Sequence, residues 1–289
     1  VKGAILVVGA LGNVGRAVVA SLQQAGLPVR AGHFDPGRVR EILPGVETVA
    51  LDLTDPTTFR GALDGAGALF LLRPPPISRV GPTLNVLIDE AARQEVGHVL
   101  FSSVAGADTN RIVPHHRVET HLQASRLPWT ILRPGFFAQN LGDAYRADIR
   151  DYDRIVVPAG DGRVAFIDVR DVGDVTAKVF ADTRSHTGRA YHLTGPRAVD
   201  FHEVTAHLSD VLERPVTYEP ASVLGYLAHL RRQGRPLVQG VVQTVLHVGL
   251  RRGGAEEVDP TLAVLLGRPP RDLITYITDH AQLWRTPHD

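Results

Sequence analysis

The chain has 289 residues, 44% of them apolar, with 31 basic and 31 acidic side chains and no cysteine. That length suits one large domain, or a domain with a smaller appendage. The composition excludes disulfides, thiol nucleophiles and cysteine–metal sites, and the charge balance gives no reason to expect a nucleic acid or an anionic membrane as partner.

Residues 4–8, AILVV, form an unbroken apolar run, as a strand buried on both faces requires. Gly9, Gly12 and Gly15 follow at three-residue spacing in GALGNVG, and Val14, Ala17, Val18, Leu22 and Ala25 then recur at helical spacing. The order is strand, glycine turn, helix. Glycines let the backbone turn tightly and let a diphosphate approach the amides, and the helix points its first N–H groups and positive dipole end at that anion. Gly9, Leu11, Gly12, Asn13, Val14 and Gly15 are therefore the expected diphosphate site. Residues 1–10 lack the basic flank and cleavage pattern of a signal peptide, and no apolar run approaches the roughly 20 residues of a bilayer span. A cytoplasmic chain without membrane attachment is expected. Methionine is absent even at position 1, which suggests a processed or trimmed start.

A second strand is expected at 29–33, a helix at 37–43 opened by Asp35-Pro36, and a third strand at 46–51 ended by Asp52. Asp55 and Pro56 fit the N-cap and first position of another helix. The fourth strand, 66–72, runs into Arg73 and three prolines; Leu84, Leu87, Ile88 and Ala91 mark a helix face. Residues 98–102 read as a fifth strand, 114–126 as a helix with Val118 and Leu122 inward, and 129–132 as a sixth strand. Such alternation predicts an α/β fold: a doubly wound, Rossmann-like parallel sheet with ligands beyond the strands' C-terminal ends. Past residue 135 the regularity weakens. Residues 136–147 and 168–181 are predicted helical, 190–193 and 216–218 are strand candidates, and the chain from 201 is mostly helical, with Leu273, Tyr276, Ile277, His280 and Trp284 on one late helix face. The expected domains are a dinucleotide-binding domain over 1–200, including a substrate-pocket segment at 135–165, and a small, mainly helical C-terminal substrate cap over 201–289, interwoven with the first.

In their order and spacing, GALGNVG, LDLTD, FSSVAGAD, LPWTILRPGFFAQNL, FIDVRDVGDV, AYHLTGP and GRPPRDL resemble the NmrA-like group of atypical short-chain dehydrogenases over most of the chain. The resemblance implies an NAD(P)-binding fold. In it Asp52, with Leu53 beside it, touches the adenine, and Leu72 and Arg73 line the adenosine ribose and diphosphate. The segment from Arg133 through Pro134 and Phe136 to Phe137 passes close to the nicotinamide, and substrate lies between that segment and the cap. Members include quinone reductases, dye reductases and redox sensors that bind cofactor without turnover. The family often sets an Arg after the second strand for the 2′-phosphate; Phe34 stands there in this chain. Arg38, one turn into the next helix, can hold that phosphate instead, whereas Asp35 accepting a ribose hydroxyl would select NAD. NADP is the expected cofactor, with NAD as the alternative.

Hydride transfer is chemistry of the nicotinamide; the protein orients it and stabilises charge on the substrate oxygen. Typical short-chain dehydrogenases use a Ser, and a Tyr and Lys four apart on a helix, often with a Glu four further on. Glu119 matches that Glu, but counting back by four gives His115 and Arg111, so the usual acid is missing. His115 is expected to face the nicotinamide ribose or the substrate and, with an ordinary pKa of about 6.5, to donate a proton near neutral pH. The alternative is a polar residue opening a helix beside a solvated His116. Ser102 is a candidate for the nicotinamide amide and Ser103 for the substrate, or both cap a strand end. Phe136 and Phe137 can stack a flat substrate with Asn140 as a polar contact, or simply pack the core. Asp168, Asp171 and Asp174 read as helix-start residues. His202-Glu203 and His207 point to different sides of a helix, so no metal site is expected. The Arg231-Arg232 and Arg251-Arg252 pairs read as solvated. The expected function is NAD(P)H-dependent reduction of a small, flat carbonyl compound such as a quinone or an enone, with an aromatic or quinone-like small molecule as partner, by a monomer or homodimer. A non-catalytic redox sensor and a biosynthetic enzyme using the pocket for a non-redox step are the alternatives.

Overall fold

The computed structural model describes residues 3–285; Lys2 and the outer limits of the expected 1–200 and 201–289 domains lie outside them. Along the chain run β1 (Ala4–Val8), α1 (Asn13–Gln24), β2 (Val29–His33), α2 (Pro36–Ile42), β3 (Glu47–Ala50), α3 (Phe59–Leu63), β4 (Ala66–Leu72), α4 (Val86–Arg93), β5 (Val99–Ser102), α5 (Pro114–Ala124) and β6 (Trp129–Pro134). They are followed by α6 (Arg146–Tyr152), β7 (Arg154–Val157), α7 (Val169–Ala181), α8 (Thr183–His186), β8 (Arg189–Leu193), α9 (Phe201–Leu212), β9 (Thr217–Pro220), α10 (Val223–Arg232), α11 (Leu237–Arg251), α12 (Thr261–Leu266) and α13 (Leu273–Asp279). None of these helices is long and apolar enough to cross a membrane.

Seven strands form one sheet in the order β3-β2-β1-β4-β5-β6-β8, and every neighbouring pair is parallel. This is the doubly wound, Rossmann-like arrangement. The order reverses between β1 and β4, which opens a crevice at their C-terminal ends. Both faces of β1 are covered: Ile5, Leu6, Val7 and Val8 are all buried, as a central parallel strand requires. On one face Leu6, Leu69, Leu71 and Phe101 pack with Phe59, Leu87, Ile88, Val118 and Leu122 from α3, α4 and α5. Elsewhere α1 and α7 lie close together, because a Cβ on Gly173 would sit 2.6 Å from the Ala17 carbonyl oxygen. There the Ser21 hydroxyl donates to Asp174 Oδ1 at 2.8 Å. Asp174 thus joins two helices, beyond the helix-start role expected of it.

The described residues pack into two compact units that alternate along the sequence. One holds the chain up to Pro134 with Val169–Leu193 and Val264–Gly267; the other holds Gly135–Asp168, Thr194–Ala263 and the chain from Arg268. The expected break at residue 200 therefore falls elsewhere. Segment 135–168 packs with the later helices because β7 pairs in parallel with β9, and neither strand joins the large sheet. The second unit's core is rich in interlocking rings, among them Tyr145, Phe166, Phe201, Tyr276 and Trp284.

Of the helix expected over 136–147 only residues 146–147 are α-helical, at the start of α6; a bridge and turns take the place of the rest. Phe136 and Ala138 bond Ile167 through their backbones at 2.9 Å each, which holds this stretch extended. Residues Ala138–Asn140 then make a single 3-10 turn. Gly142 is pressed so close to Tyr276 and Leu283 that a Cβ would lie 2.8 Å from each. The late helix breaks after Asp279 and resumes as a 3-10 turn at Ala281–Leu283.

Candidate functional site

The three glycines after β1 are glycines for different reasons. Gly9 has φ +71°, and a Cβ there would approach Leu72 Cδ1 to 2.8 Å. Gly15 is buried, and its Cβ would fall 2.1 Å from the Gly9 carbonyl oxygen. The chain's own packing therefore demands both. Gly12 differs. It has φ −79° and ψ 169°, open to any residue, and a Cβ would meet nothing nearer than the Gly9 oxygen at 3.5 Å, an ordinary contact. No packing in the fold requires glycine at 12. Gly12 and Asn13 are exposed, and Leu11 and Val14 half-buried. Helix α1 has no side-chain cap from Gly12 and no acid in its first turn, so its positive dipole end is uncompensated by its own sequence.

The neighbouring strand ends frame this turn. After β2, Phe34 is 68% exposed and stacks on His33, with ring centroids 4.3 Å apart. Asp35 caps α2 by accepting from the Arg38 amide at 3.1 Å, while the Arg38 side chain is exposed. After β3, Asp52 Oδ1 accepts from the Thr54 amide and hydroxyl at 2.8 and 2.7 Å. The Leu53 side chain belongs to the hydrophobic core, so only its backbone can meet a ligand. After β4, Leu72 fills the space that glycine leaves at position 9. Arg73 does not reach toward the glycine turn. Its Nη1 donates to the carbonyls of Pro74, Pro75 and Ile77 at 3.2, 3.2 and 2.7 Å, and its Nε to His115 Nε2 at 3.3 Å. The guanidinium organises its own proline-rich loop, so the expected place of Arg73 beside the adenosine ribose and diphosphate would fall to its backbone.

Helix α5 brings His115 and Glu119 inward on one face, both buried. Burial, and then the charge of Arg73, lower the His115 pKa from 6.5 to about 4. With Arg73 donating to Nε2, the imidazole is neutral and accepts there. Where a proton donor near neutral pH is expected, the structure has His115 Nε2 as a buried acceptor from Arg73. Ser103 donates to Glu119 Oε1 at 2.5 Å. Arg133 Nη2 meets Glu119 Oε2 at 2.7 Å, and its Nη1 meets Asp108 Oδ2 at 3.1 Å. Ser103 is buried and donates its proton within this network. Ser102 closes β5 and is also buried, as is Pro134 at the end of β6. His116, expected to be solvated, bonds the Ala107 carbonyl through Nδ1 at 2.8 Å.

A strand–glycine turn–helix at the switch point of a parallel sheet, with strand-end residues arrayed around it, matches a recorded pattern: the model of the NmrA-like family covers residues 1–244. The chain belongs to the NmrA-like family. It is 33% identical over 282 residues to an NAD(P)H azoreductase of Xenophilus azovorans, covering 96% of this chain and 98% of the relative. It is 32% identical over 284 residues to a (4-alkanoyl-5-oxo-2,5-dihydrofuran-3-yl)methyl phosphate reductase of Streptomyces griseus, covering 96% and 98%. Among solved structures, an NADPH-dependent quinone oxidoreductase from Escherichia coli complexed with NADPH superposes with a TM-score of 0.85 at 25% identity, covering 96% of this chain and 99% of the other.

In this NmrA-like chain Phe136, Phe137 and Asn140 belong to the second unit. The half-buried Phe136 meets Phe166 and His247 edge-on at 5.6 and 6.0 Å. Phe137 bridges to Ile167 through its backbone, and Asn140 accepts from the Tyr145 amide at 3.1 Å. The sequence reading missed two buried polar pairs in this unit. The Tyr145 hydroxyl bonds His247 Nε2, and His229 Nε2 bonds Asp148 Oδ2 at 2.8 Å. The available signal was a histidine among the apolar residues on the buried side of each of α10 and α11. Among the described residues no group of three His, Cys, Asp or Glu side chains is disposed to hold a metal ion.

Proposed function

We propose that this NmrA-like protein binds NADP(H) at the β1–α1 turn and reduces a small, flat, conjugated acceptor such as a quinone or an enone. Gly12 carries the proposal. The fold does not need glycine there, but a diphosphate lying against the amides of α1 does, because a side chain would hold it away. Its anionic charge would also answer the uncompensated helix end. The residues present fit such a group. The exposed face of Phe34 suits the adenine ring, and Arg38, which forms no ion pair among the described residues, could hold a 2′-phosphate bidentately. Asp35 Oδ1 is engaged in capping α2, which favours NADP over NAD. The relatives' names, an NAD(P)H azoreductase, a dihydrofuranone phosphate reductase and an NADPH-dependent quinone oxidoreductase, support reduction of conjugated acceptors.

When bound, the reduced dinucleotide would supply a hydride. This chain's part is to bind and orient. The α1 amides would grip the diphosphate, and Phe34 and Arg38 the adenosine end. Neither His115 nor Ser103 holds a proton ready to donate. That suits an acceptor whose reduced oxygen is a phenolate, a weak base that asks little of an acid.

Thermal unfolding titrated with NAD, NADH, NADP and NADPH tests the binding. The NADP pair should stabilise the protein by about 2.7 kcal/mol at a hundredfold excess over Kd, and no shift with any of the four would overturn it. Loss of the reduced-nicotinamide absorbance with a panel of quinones, enones and azo dyes tests turnover. Binding without turnover of any acceptor would transfer the protein to the regulatory reading.

A further inference from the structure

The equality of 31 basic and 31 acidic residues is a whole-chain sum that hides one strongly uneven segment. Residues 220–255 contain five arginines, at 231, 232, 235, 251 and 252, and no acidic residue. This segment is the α10–α11 hairpin. Its inner side is ordinary core. Tyr226, His229 and Leu230 of α10 and Gly240, Thr244, His247 and Leu250 of α11 are buried. The outer side is not. Leu237, Val238, Val241, Val242, Val245 and Leu246 are all exposed, from 45% at Val241 to 77% at Val238. Helix α11, about 22 Å long, therefore shows solvent a broad arc of leucine and valine without a charge on it. A contiguous exposed patch of six leucine and valine side chains marks an interaction surface. The arginines stand at both ends of this face. Arg231 and Arg232 end α10, Arg235 lies in the turn, and Arg251 and Arg252 end α11. All five are exposed, and none forms an ion pair among the described residues.

We infer that this hairpin is a docking surface for an anionic lipid bilayer, with the α11 face lying in the headgroup–acyl boundary and the arginines on lipid phosphates. Charge complementarity selects this occupant. A second copy of the chain, paired about a two-fold axis, would set Arg231, Arg232 and Arg235 against a hairpin end that carries Arg251 and Arg252 with Glu256 and Glu257 just beyond them, so two of the five arginines would meet their like. An anionic headgroup layer offers each guanidinium a phosphate while the apolar arc enters the layer below. The surface lies on the face of the hairpin away from its own core and is independent of the dinucleotide proposal.

Flotation with vesicles tests it, comparing phosphatidylcholine alone with phosphatidylcholine mixed with phosphatidylglycerol. The wild-type chain should bind the anionic vesicles at least about tenfold better and be released by high salt. Val241→Asp/Val245→Asp should abolish binding while its circular dichroism and melting temperature stay unchanged, since both side chains face solvent. Should that variant misfold, Arg232→Gln/Arg252→Gln keeps the apolar face and should lose the preference for anionic vesicles. Three results would overturn the inference: no binding to either vesicle, equal binding to both, or a wild-type dimer in sedimentation velocity that the Val241→Asp/Val245→Asp variant dissociates.

Discussion

Arg133 Nη2 lies 2.7 Å from Glu119 Oε2 and Arg133 Nε 3.2 Å from both Glu119 oxygens, joining the end of β6 to α5 through an ion pair with side chains only 9% and 3% exposed. Burial works against the Arg133 charge, but the hydrogen bond to Glu119 and the fields of Glu119 and Asp108 outweigh it and raise the pKa. Removing one partner strands the other. Glu119→Ala should lose about 3–5 kcal/mol of unfolding free energy in urea, and Glu119→Ala/Arg133→Leu should recover part of that loss. A double variant as unstable as the sum of the two single ones would mean that the pair is not coupled.

The glycine turn makes a two-sided prediction. Gly15→Ala forces a methyl against the Gly9 carbonyl and should cost about 1–3 kcal/mol of stability. Gly12→Ala should leave stability within about 0.5 kcal/mol of wild type while weakening NADPH binding at least about tenfold. Urea unfolding and a binding titration on the same two proteins separate the effects. Equal NADPH affinity in Gly12→Ala and wild type would remove the reason for glycine at that position.

The first half of the fold was legible because its signals are local. Apolar runs gave β1 and β4 to the residue, β2 was placed as the strand after Leu27-Pro28, and the Asp35-Pro36 and Asp55-Pro56 pairs do cap the turns that follow them. The second unit was less legible because distant partners decide it. Residues 154–157 become β7 only by pairing with residues 217–220. Residues 136–138 are held extended by Ile167, against a helix-like local pattern. In the site, the glycine spacing could be read directly. The commitments of Arg73 to the 74–77 carbonyls and of Ser103 to Glu119 could not, because hydrogen-bond partners leave no trace in spacing.

His115 and His98 give stability a definite pH dependence. Burial is the main cause in both, and both fall from 6.5 to about 4. Between those values the unfolded chain takes up protons that the folded chain refuses. Stability should therefore be full above pH 6.5 and fall as the pH drops toward 4, by roughly 3 kcal/mol for each histidine. His115→Gln keeps an acceptor for Arg73 and should flatten the slope of unfolding free energy at mildly acid pH by about 1.4 kcal/mol per pH unit. An unchanged slope would mean that His115 titrates normally in the fold and would restore it as a proton donor.

Tyr145 and His247 form a buried polar contact in the second unit. His247 Nδ1 faces the Gln243 carbonyl at 2.6 Å, so it carries the proton, and Nε2 accepts from the Tyr145 hydroxyl. Burial keeps both groups neutral, pushing the phenol well above its ordinary pKa and the imidazole below its own. Tyr145→Phe deletes the donor and leaves a buried nitrogen unmatched, which should cost about 1–3 kcal/mol. His247→Leu strands the hydroxyl and should cost a similar amount for the same reason. Tyr145→Phe/His247→Leu leaves neither group unmatched, so its loss in urea unfolding should be clearly smaller than the sum of the two, and strict additivity would mean that the contact contributes nothing to the fold.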